Sequence, residues 1–489
     1  MLIMYNSVSF ISVPRRQTDR ACAASAMLSG VLRDIGLKTT IHDLVIDLSK
    51  NNFSSNLVEN FALNLEDDYE KVIKYVEVYV QDIINQKPDL IALSVLSYHS
   101  HRWCMFILNY IKTHSDIPTV IGGPGVSIPM QEQAAVHRSV SIDTNNMFGK
   151  YCLENLLTDY YVNGEGEFAL RDLCLGKDNI DGLNMDTPAR LPSLEDPVFP
   201  DFTDWKKYDM KQAFITASRG CVRRCTFCDV VKLWPTYRYR SAEHVFKEIM
   251  HQYHEADIRH FVFTDSLVNG NKEYKKMLRL LAEFNKNTDD KITWEGQNII
   301  RKKNFMSLED FDNLRDSGVT RLYIGIESGS ESVRDHMLKK FSNEDMYYEI
   351  EQMMIRGIEF GCLIIVGYPT ETREDFEETK RFVEWCSQWK DQIHMSFSMM
   401  QMIPGTPLWD THHYMIGNEL VDGESDWSNN IVGSYDDRLT RWLEIYLEAW
   451  RMGYRYNNFI RTRVKNILKR DNIILNDNIK DLLKSVDLE

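Results

Sequence analysis

Ser218-Arg-Gly-Cys221-Val-Arg-Arg-Cys225-Thr-Phe-Cys228 is the stretch on which the reading of this 489-residue chain turns. The chain has nine cysteines, and six of them (Cys22, Cys104, Cys152, Cys174, Cys362, Cys386) are scattered. Scattered free cysteines are expected to pack as small apolar residues. The other three stand in C-x3-C-x2-C spacing, which lets one short loop turn three thiolates toward one point. A zinc site would ask for a fourth Cys or His nearby, and the next histidine, His244, lies sixteen residues on. Three thiolates suit a 4Fe-4S cluster, whose fourth iron stays open to a non-protein ligand. Half of a zinc site, or three buried free thiols, are the bland alternatives.

Around the loop, strand-like and helix-like stretches alternate. Gln212–Ala217 reads as a strand that delivers the loop. Further strands are read at His260–Thr264, Lys291–Glu295, Thr320–Ile326, Cys362–Val366 and His394–Gln401. Ser241 is a helix cap, and Thr372 with Asp375 forms a capping-box start. Repeated strand–helix units imply a parallel sheet with right-handed crossovers, and six of them fit an open or partial barrel. Polar residues lie just past the strands' C-terminal ends, the edge where such folds do chemistry.

The cysteine run, with Phe227 just before its third cysteine, resembles the cluster loop of the radical S-adenosylmethionine (SAM) superfamily. The resemblance implies that Cys221, Cys225 and Cys228 hold a 4Fe-4S cluster. SAM would chelate the open iron and be cleaved reductively to a 5′-deoxyadenosyl radical. It also implies SAM contacts at the strand ends. Glu327 and Ser328, in Gly325-Ile-Glu-Ser-Gly-Ser330, would meet the ribose and methionyl end, unless the stretch is a plain helix cap. Gly367, in Val366-Gly-Tyr-Pro-Thr-Glu371, would lie beside adenine, or serve an ordinary turn. Asp265 and Ser266 stand where related sequences grip the SAM amino group, although the usual Gly-Gly-Glu pattern is not met. Pro404–Pro407 reads as a structural turn. Trp294, Gln297 and Arg301 either face substrate or pack.

The first 175 residues also alternate. Ser7–Val13, Thr39–Ile46, Leu90–Leu96, Pro118–Gly123 and Tyr160–Gly166 read as strands, with helical spacing between them. This is a doubly wound sheet of Rossmann or flavodoxin-like kind. Two of its loops, Ser94-Val-Leu96 and Gly122-Gly-Pro-Gly125, resemble the cobalamin-binding domain that precedes the barrel in one (class B-type) branch of the superfamily. That resemblance implies a corrin tail against Ser94, Leu96, Gly122 and Gly123. The cobalt-coordinating Asp-x-His-x-x-Gly pattern is missing: the loop after the first strand reads Pro14-Arg-Arg-Gln-Thr-Asp-Arg-Ala21. His99 and His101 read first as solvated loop histidines and second as residues that approach the corrin. A Rossmann domain kept only for packing is the other reading.

The expected fold class is thus α/β. A Rossmann-like domain of the cobalamin-binding type (1–175) is followed by a linker (176–210), a partial (β/α)6 radical SAM barrel (211–415) and a helical tail (416–489). Residues 416–434 read as loop. Between Arg451 and Arg470 lie seven Lys or Arg and no acid, a basic aromatic helix that reads first as a solvated face and second as an RNA or acidic-partner surface.

Length agrees with roughly three domains. Hydrophobic residues at 43% and charged residues at 26% exclude wholesale disorder. Lys+Arg 57 against Asp+Glu 72 gives −15, which argues against a nucleic-acid glove. No apolar run reaches the ~18 residues of a membrane helix, and no signal peptide is read, so a cytoplasmic protein with reduced thiols is expected.

The implied activity is reductive SAM cleavage feeding cobalamin-dependent methylation of an unactivated carbon. The first alternative is dehydrogenation, cyclisation or another rearrangement without cobalamin. The second is an iron–sulfur RNA- or partner-binding module without turnover. Methylthiolation is not expected, since no second three-cysteine set is present. The electron donor would be a flavodoxin or ferredoxin, and no membrane partner is expected.

Overall fold

The computed structural model describes residues 4–14, 22–62, 67–128, 147–403, 406–412, 415–421, 424–456, 458–468 and 477–485. They fall into two compact units, residues 1–213 with 251–257, and residues 214–250 with 258–489.

The first unit is built on five parallel strands, β1 (Ser7–Ser12), β2 (Lys38–His42), β3 (Leu90–Ser94), β4 (Thr119–Gly122) and β5 (Tyr160–Val162). Their order is β2-β1-β3-β4-β5, the flavodoxin-like order, with its switch point between β1 and β3. A parallel sheet is covered on both faces, so its central strands are largely buried: Val8, Phe10, Ile11 and Leu90 to Leu93 are buried, whereas the edge strand β2 is mostly polar. Helix Glu70–Asn85 turns Val72, Val76, Val80 and Ile83 inward, and helix His101–His114 does the same with Trp103, Ile107, Leu108 and Ile111. These residues recur every three or four positions, which places them on one helical face.

Two expectations change here. The second strand stops at His42 instead of running to Ile46, because Asp43 accepts a hydrogen bond from the Ile46 amide (3.3 Å) and caps a helix at Leu44–Lys50. The stretch 176–210 is not a free linker but part of this unit. Asn163 N donates to Gly182 O (2.9 Å), Glu165 N to Ala189 O (3.0 Å), and Arg33 bonds Asp201 and Asp204.

His101 is also not solvated. It is 1% exposed and stacks on Phe148 at 3.9 Å, and its Nε2 donates to Gly125 O at 2.8 Å. Its Nδ1 is buried without a hydrogen-bond partner. Burial therefore opposes the second proton and pushes the pKa down to about 4, more than the Gly125 bond can offset. The unfolded chain binds that proton near pH 6.5 and the folded unit does not, so stability falls as pH drops from about 6.5 to 4. The expected loss is on the order of 1–3 kcal/mol. A pH series of thermal unfolding checks it: His101→Phe, which keeps the stacking and cannot titrate, should flatten that acid limb.

The second unit carries the six-stranded sheet β13-β12-β11-β10-β9-β6. Its strands are β6 (Gln212–Ile215, which straddles the boundary of the units), β9 (His260–Phe263), β10 (Thr293–Asn298), β11 (Val319–Glu327), β12 (Glu359–Val366) and β13 (Ile393–Met399). Neighbours from β9 to β13 pair parallel. Spatial order equals chain order, as in a barrel wall, and β13 is not paired to β6. A short antiparallel pair, β7 (Ser218–Arg219) with β8 (Arg238–Tyr239), brackets the cysteine loop.

The capping box at Thr372 and Asp375 is present. Ser307/Asp310, Ser342/Asp345 and Ser434/Asp437 form three more. The expected loop at 416–434 contains an antiparallel hairpin, β14 (Ile416–Val421) with β15 (Glu424–Trp427). Helix Tyr435–Arg451 then packs on the sheet, with Trp442 Nε1 donating to Phe397 O (3.0 Å) and buried Glu444 paired to Arg373 and Lys380. Pro404 and Gly405 of the expected 404–407 turn lie outside the described residues. No described helix is long and apolar enough to cross a membrane.

Candidate cluster and cofactor site

The cysteine loop follows β7 at the sheet's C-terminal edge. Gly220 opens it at φ +93, and a Cβ there would meet Thr236 O at 2.8 Å, so glycine is required. Thr226, between the second and third cysteines, stitches the loop down. Its N–H donates to Met337 O (3.2 Å), its carbonyl accepts from Leu408 N (2.8 Å), and its hydroxyl bonds Tyr368 Oη (2.8 Å). Phe227 packs against the apolar cluster of Val333, Met337, Tyr368, Met400 and Trp409.

Cys225 is buried, and Cys221 and Cys228 are half-buried. Burial pushes all three thiol pKa values up, Cys228 to about 11, while the nearby Lys339 and Arg223 pull Cys221 and Cys225 back. Loading a metal must displace these protons. Among the described residues, no three metal-binding side chains converge on a single ion. The three thiols share one loop but are not gathered around a single ion position. The donor set, three cysteines beside two cations, fits an anionic thiolate-bound cluster.

The strand-end residues fall into different places. Asp265 is 3% exposed and accepts from Ala217 N (3.0 Å) and from the Ser218 hydroxyl. Burial raises its pKa to about 7 against those bonds. It holds the start of the cysteine loop, a different job from gripping a ligand. Ser266 beside it is half-buried. Asp265→Ala strands the buried Ala217 N–H and leaves the Ser218 hydroxyl only its 3.3 Å bond to Leu267 O, and is expected to cost roughly 1–3 kcal/mol. Iron content after reconstitution should fall with it, whereas Asp265→Asn, which keeps an acceptor, should retain most of both.

Glu327 ends β11 at φ +67, after a register shift, and pairs with Lys339 (3.0 Å), both largely buried. Ser328 is fully buried. Its hydroxyl bonds Thr379 Oγ1 (3.1 Å) and accepts from Ser330 N (3.1 Å), so it is engaged within the turn. Gly367 (φ +80) faces the Arg438 side chain, which a Cβ would meet at 2.7 Å. Arg438, not a ligand, takes the space that glycine leaves. Trp294 is 1% exposed and bonded to Ser317, so it packs. Gln297 is exposed, and Arg301 is half-buried over Phe305 at 4.2 Å. Sequence reading missed Lys339, Thr226 and Tyr368. Nothing in Met337-Leu-Lys-Lys340 marks the first lysine as buried.

On the first unit, Ser94 and Gly122 are paired across β3 and β4 at their C-terminal ends. A Cβ on Gly122 would meet nothing nearer than 3.8 Å, whereas Gly123 (φ +104) and Gly125 are pressed against Val95. Leu96 (40% exposed) and Tyr98 (42%) present apolar surface beside this edge. The loop 15–21 after β1 lies outside the described residues.

Residues 215–383 match the family model of the Radical SAM superfamily. An uncharacterized methyltransferase of Pyrococcus horikoshii is 24% identical over 284 residues, 54% of this chain and 59% of that protein. The ribosomal protein uS12 methylthiotransferase RimO of Clostridium novyi is 31% identical over 180 residues, 35% of this chain and 40% of that one. The chain spans about half the length of the curated relatives it matches.

Two solved structures share the fold over most of the chain. The cobalamin-dependent SAM radical enzyme OxsB, solved with aqua-cobalamin and SAM, has a TM-score of 0.64 at 17% identity and covers 99% of this chain and 70% of OxsB. The radical SAM methyltransferase TsrM of Kitasatospora setae, solved with tryptophan and a SAM analogue, gives 0.58 at 18%, covering 82% and 75%.

Residues 215–383 therefore carry a radical SAM domain. Such a domain implies a 4Fe-4S cluster and SAM.

Proposed function

We propose that this protein is a cobalamin-dependent radical SAM methyltransferase acting on an unactivated carbon. Cys221, Cys225 and Cys228 would hold its cluster. The observation that carries the reading is the cysteine loop itself. It is three thiols on one short turn, stitched by Thr226 to three separate segments at the C-terminal edge of a parallel sheet. When bound, the cluster supplies the electron that cleaves the SAM sulfonium, and cobalamin supplies the methyl group.

The protein's own residues bind and orient. Thr226 and Asp265 fix the loop, and Phe227 closes it on the apolar side. On the first unit the residues fit a corrinoid at the β3–β4 edge. Gly122 leaves backbone room there and Leu96 and Tyr98 offer apolar contact, close to the switch point at which open α/β sheets take ligands. His101 is engaged in the core, so it is not a cobalt ligand in this arrangement. The resemblance to OxsB and TsrM supports the same reading. SAM recognition by Asp265, Ser328 and Gly367 through side-chain or Cβ-free contact is not supported by their packing. Glu327 and Ser266 stay with the site. A flavodoxin- or ferredoxin-like donor would supply the electron.

Methylthio transfer is the reading the RimO relative favours. It would need a second cluster, and the other six cysteines are all buried. Corrinoid content tests the proposal, measured by absorbance after anaerobic purification with hydroxocobalamin and cluster reconstitution. About one corrinoid per chain is expected. None, with the cluster intact, would replace methyl transfer by a radical reaction without cobalamin.

A further inference from the structure

Three non-glycine residues in left-handed backbone meet beside the cysteine loop: Glu327 (φ 67), Leu338 (φ 60) and Lys340 (φ 58). Residues with side chains pay roughly 1–2 kcal/mol each for that conformation. Its effect here is an inversion. Leu338 stands 42% exposed while Lys339, next to it, is 6% exposed. Burying a leucine would ordinarily gain about 1.5–3 kcal/mol, and burying an ammonium costs free energy unless it is paired. The turn takes the unfavourable choice at both positions.

The buried ammonium has a defined address. Lys339 Nζ lies 3.0 Å from Glu327 Oε1. A Cβ at Gly325 would collide with the Glu327 carboxylate and come within 3.2 Å of Nζ, so glycine makes room for the pair. Two residues before Lys339, the Met337 carbonyl accepts the Thr226 N–H, which ties this turn to the cysteine loop itself. Burial opposes the charge of Lys339, yet Glu327 and then Cys225 and Cys221 outweigh it and hold its pKa above the ordinary lysine value.

We propose that the Lys339–Glu327 pair is a positioning device for the cluster. Lys339 presents a fixed positive charge beside the cysteine loop, and Glu327 sets how much of it the cluster feels. The inference rests on the cluster assignment above. A positive charge close to a cluster favours the reduced form, so Lys339 raises the reduction potential and Glu327 lowers it.

The test is an EPR-monitored redox titration of the anaerobically reconstituted full chain, with iron content measured alongside. Glu327→Gln should shift the midpoint to more positive values, and Lys339→Met to more negative ones. Lys339→Arg should stay near wild type. The double variant Lys339→Met/Glu327→Gln leaves no unpaired buried charge. It should fold where the single variants do not, and fall between wild type and Lys339→Met. A merely structural pair would change iron content or stability in both single variants without opposite shifts. Midpoints that coincide, or that move the same way, would overturn the inference. So would a double variant equal to wild type, if it alone folds. A wild-type chain that takes up no 4Fe-4S cluster would instead remove the reading on which this rests.

Discussion

Cys225→Ala is expected to abolish both the 4Fe-4S cluster and SAM cleavage, with iron falling to the background of an unreconstituted sample. Cys225 is the most buried of the three thiols and sits next to Thr226, the residue that stitches the loop to three other segments. Two remaining cysteines leave a second iron without a protein ligand, and a site open at two corners does not retain a cubane. The fold should survive. Alanine removes a half-buried loop's sulfur, and the strands on either side are held by their own ladders. Circular dichroism should match wild type while the brown absorbance disappears. SAM cleavage at the wild-type rate in this variant would show that the cysteines are structural.

Gly367→Val is the largest stability change expected in the barrel unit, roughly 3–5 kcal/mol. Valine must adopt a φ of +80, which is costly for a β-branched residue. Its Cβ meets Arg438 Cδ at 2.7 Å. Arg438 is 1% exposed, with its guanidinium 3.8 Å from the Trp427 ring and bonded to the Trp427 carbonyl, so it has no empty space to enter. The Gly367 amide also donates to Glu371 Oε1 (3.1 Å), which pairs with Arg441 (2.8 Å), so a shifted backbone disturbs a second buried charge. Tyr368 follows directly and holds Thr226, so cluster loading should drop together with stability. Urea unfolding checks the first effect and iron content the second. A loss under about 0.5 kcal/mol would mean that Arg438 can move aside.

The parts of the molecule that repeat were legible. Apolar strands between amphipathic helices announced both sheets, and Thr372-x-x-Asp375 announced its helix. Ser307, Ser342 and Ser434 carry the same spacing to an aspartate and were readable by the same rule. The three cysteines were legible as one loop because they stand within a single eight-residue run.

What was not legible depends on partners distant in the chain. Thr39–Ile46 looks like one apolar strand, and only the Asp43 side chain turning back on Ile46 ends it. The 176–210 stretch looks like a linker because its bonds are made by backbone at Gly182 and Ala189, which composition does not display. Asp265, Ser328 and Gly367 stand at strand ends, as ligand-binding residues do. Whether such a residue faces a ligand or a neighbour depends on Ser218, Thr379 and Arg438, 47, 51 and 71 residues away. Lys339 was invisible because two adjacent lysines after a helix read as surface, and it is a backbone torsion that turns one of them in.

The most direct test is the wild-type protein, reconstituted anaerobically with iron and sulfide and reduced in the presence of SAM. The account predicts about four irons per chain, an EPR signal that changes when SAM is added, and release of 5′-deoxyadenosine. Zinc in place of iron, or a loaded cluster that leaves SAM intact and its own signal unchanged, would contradict it.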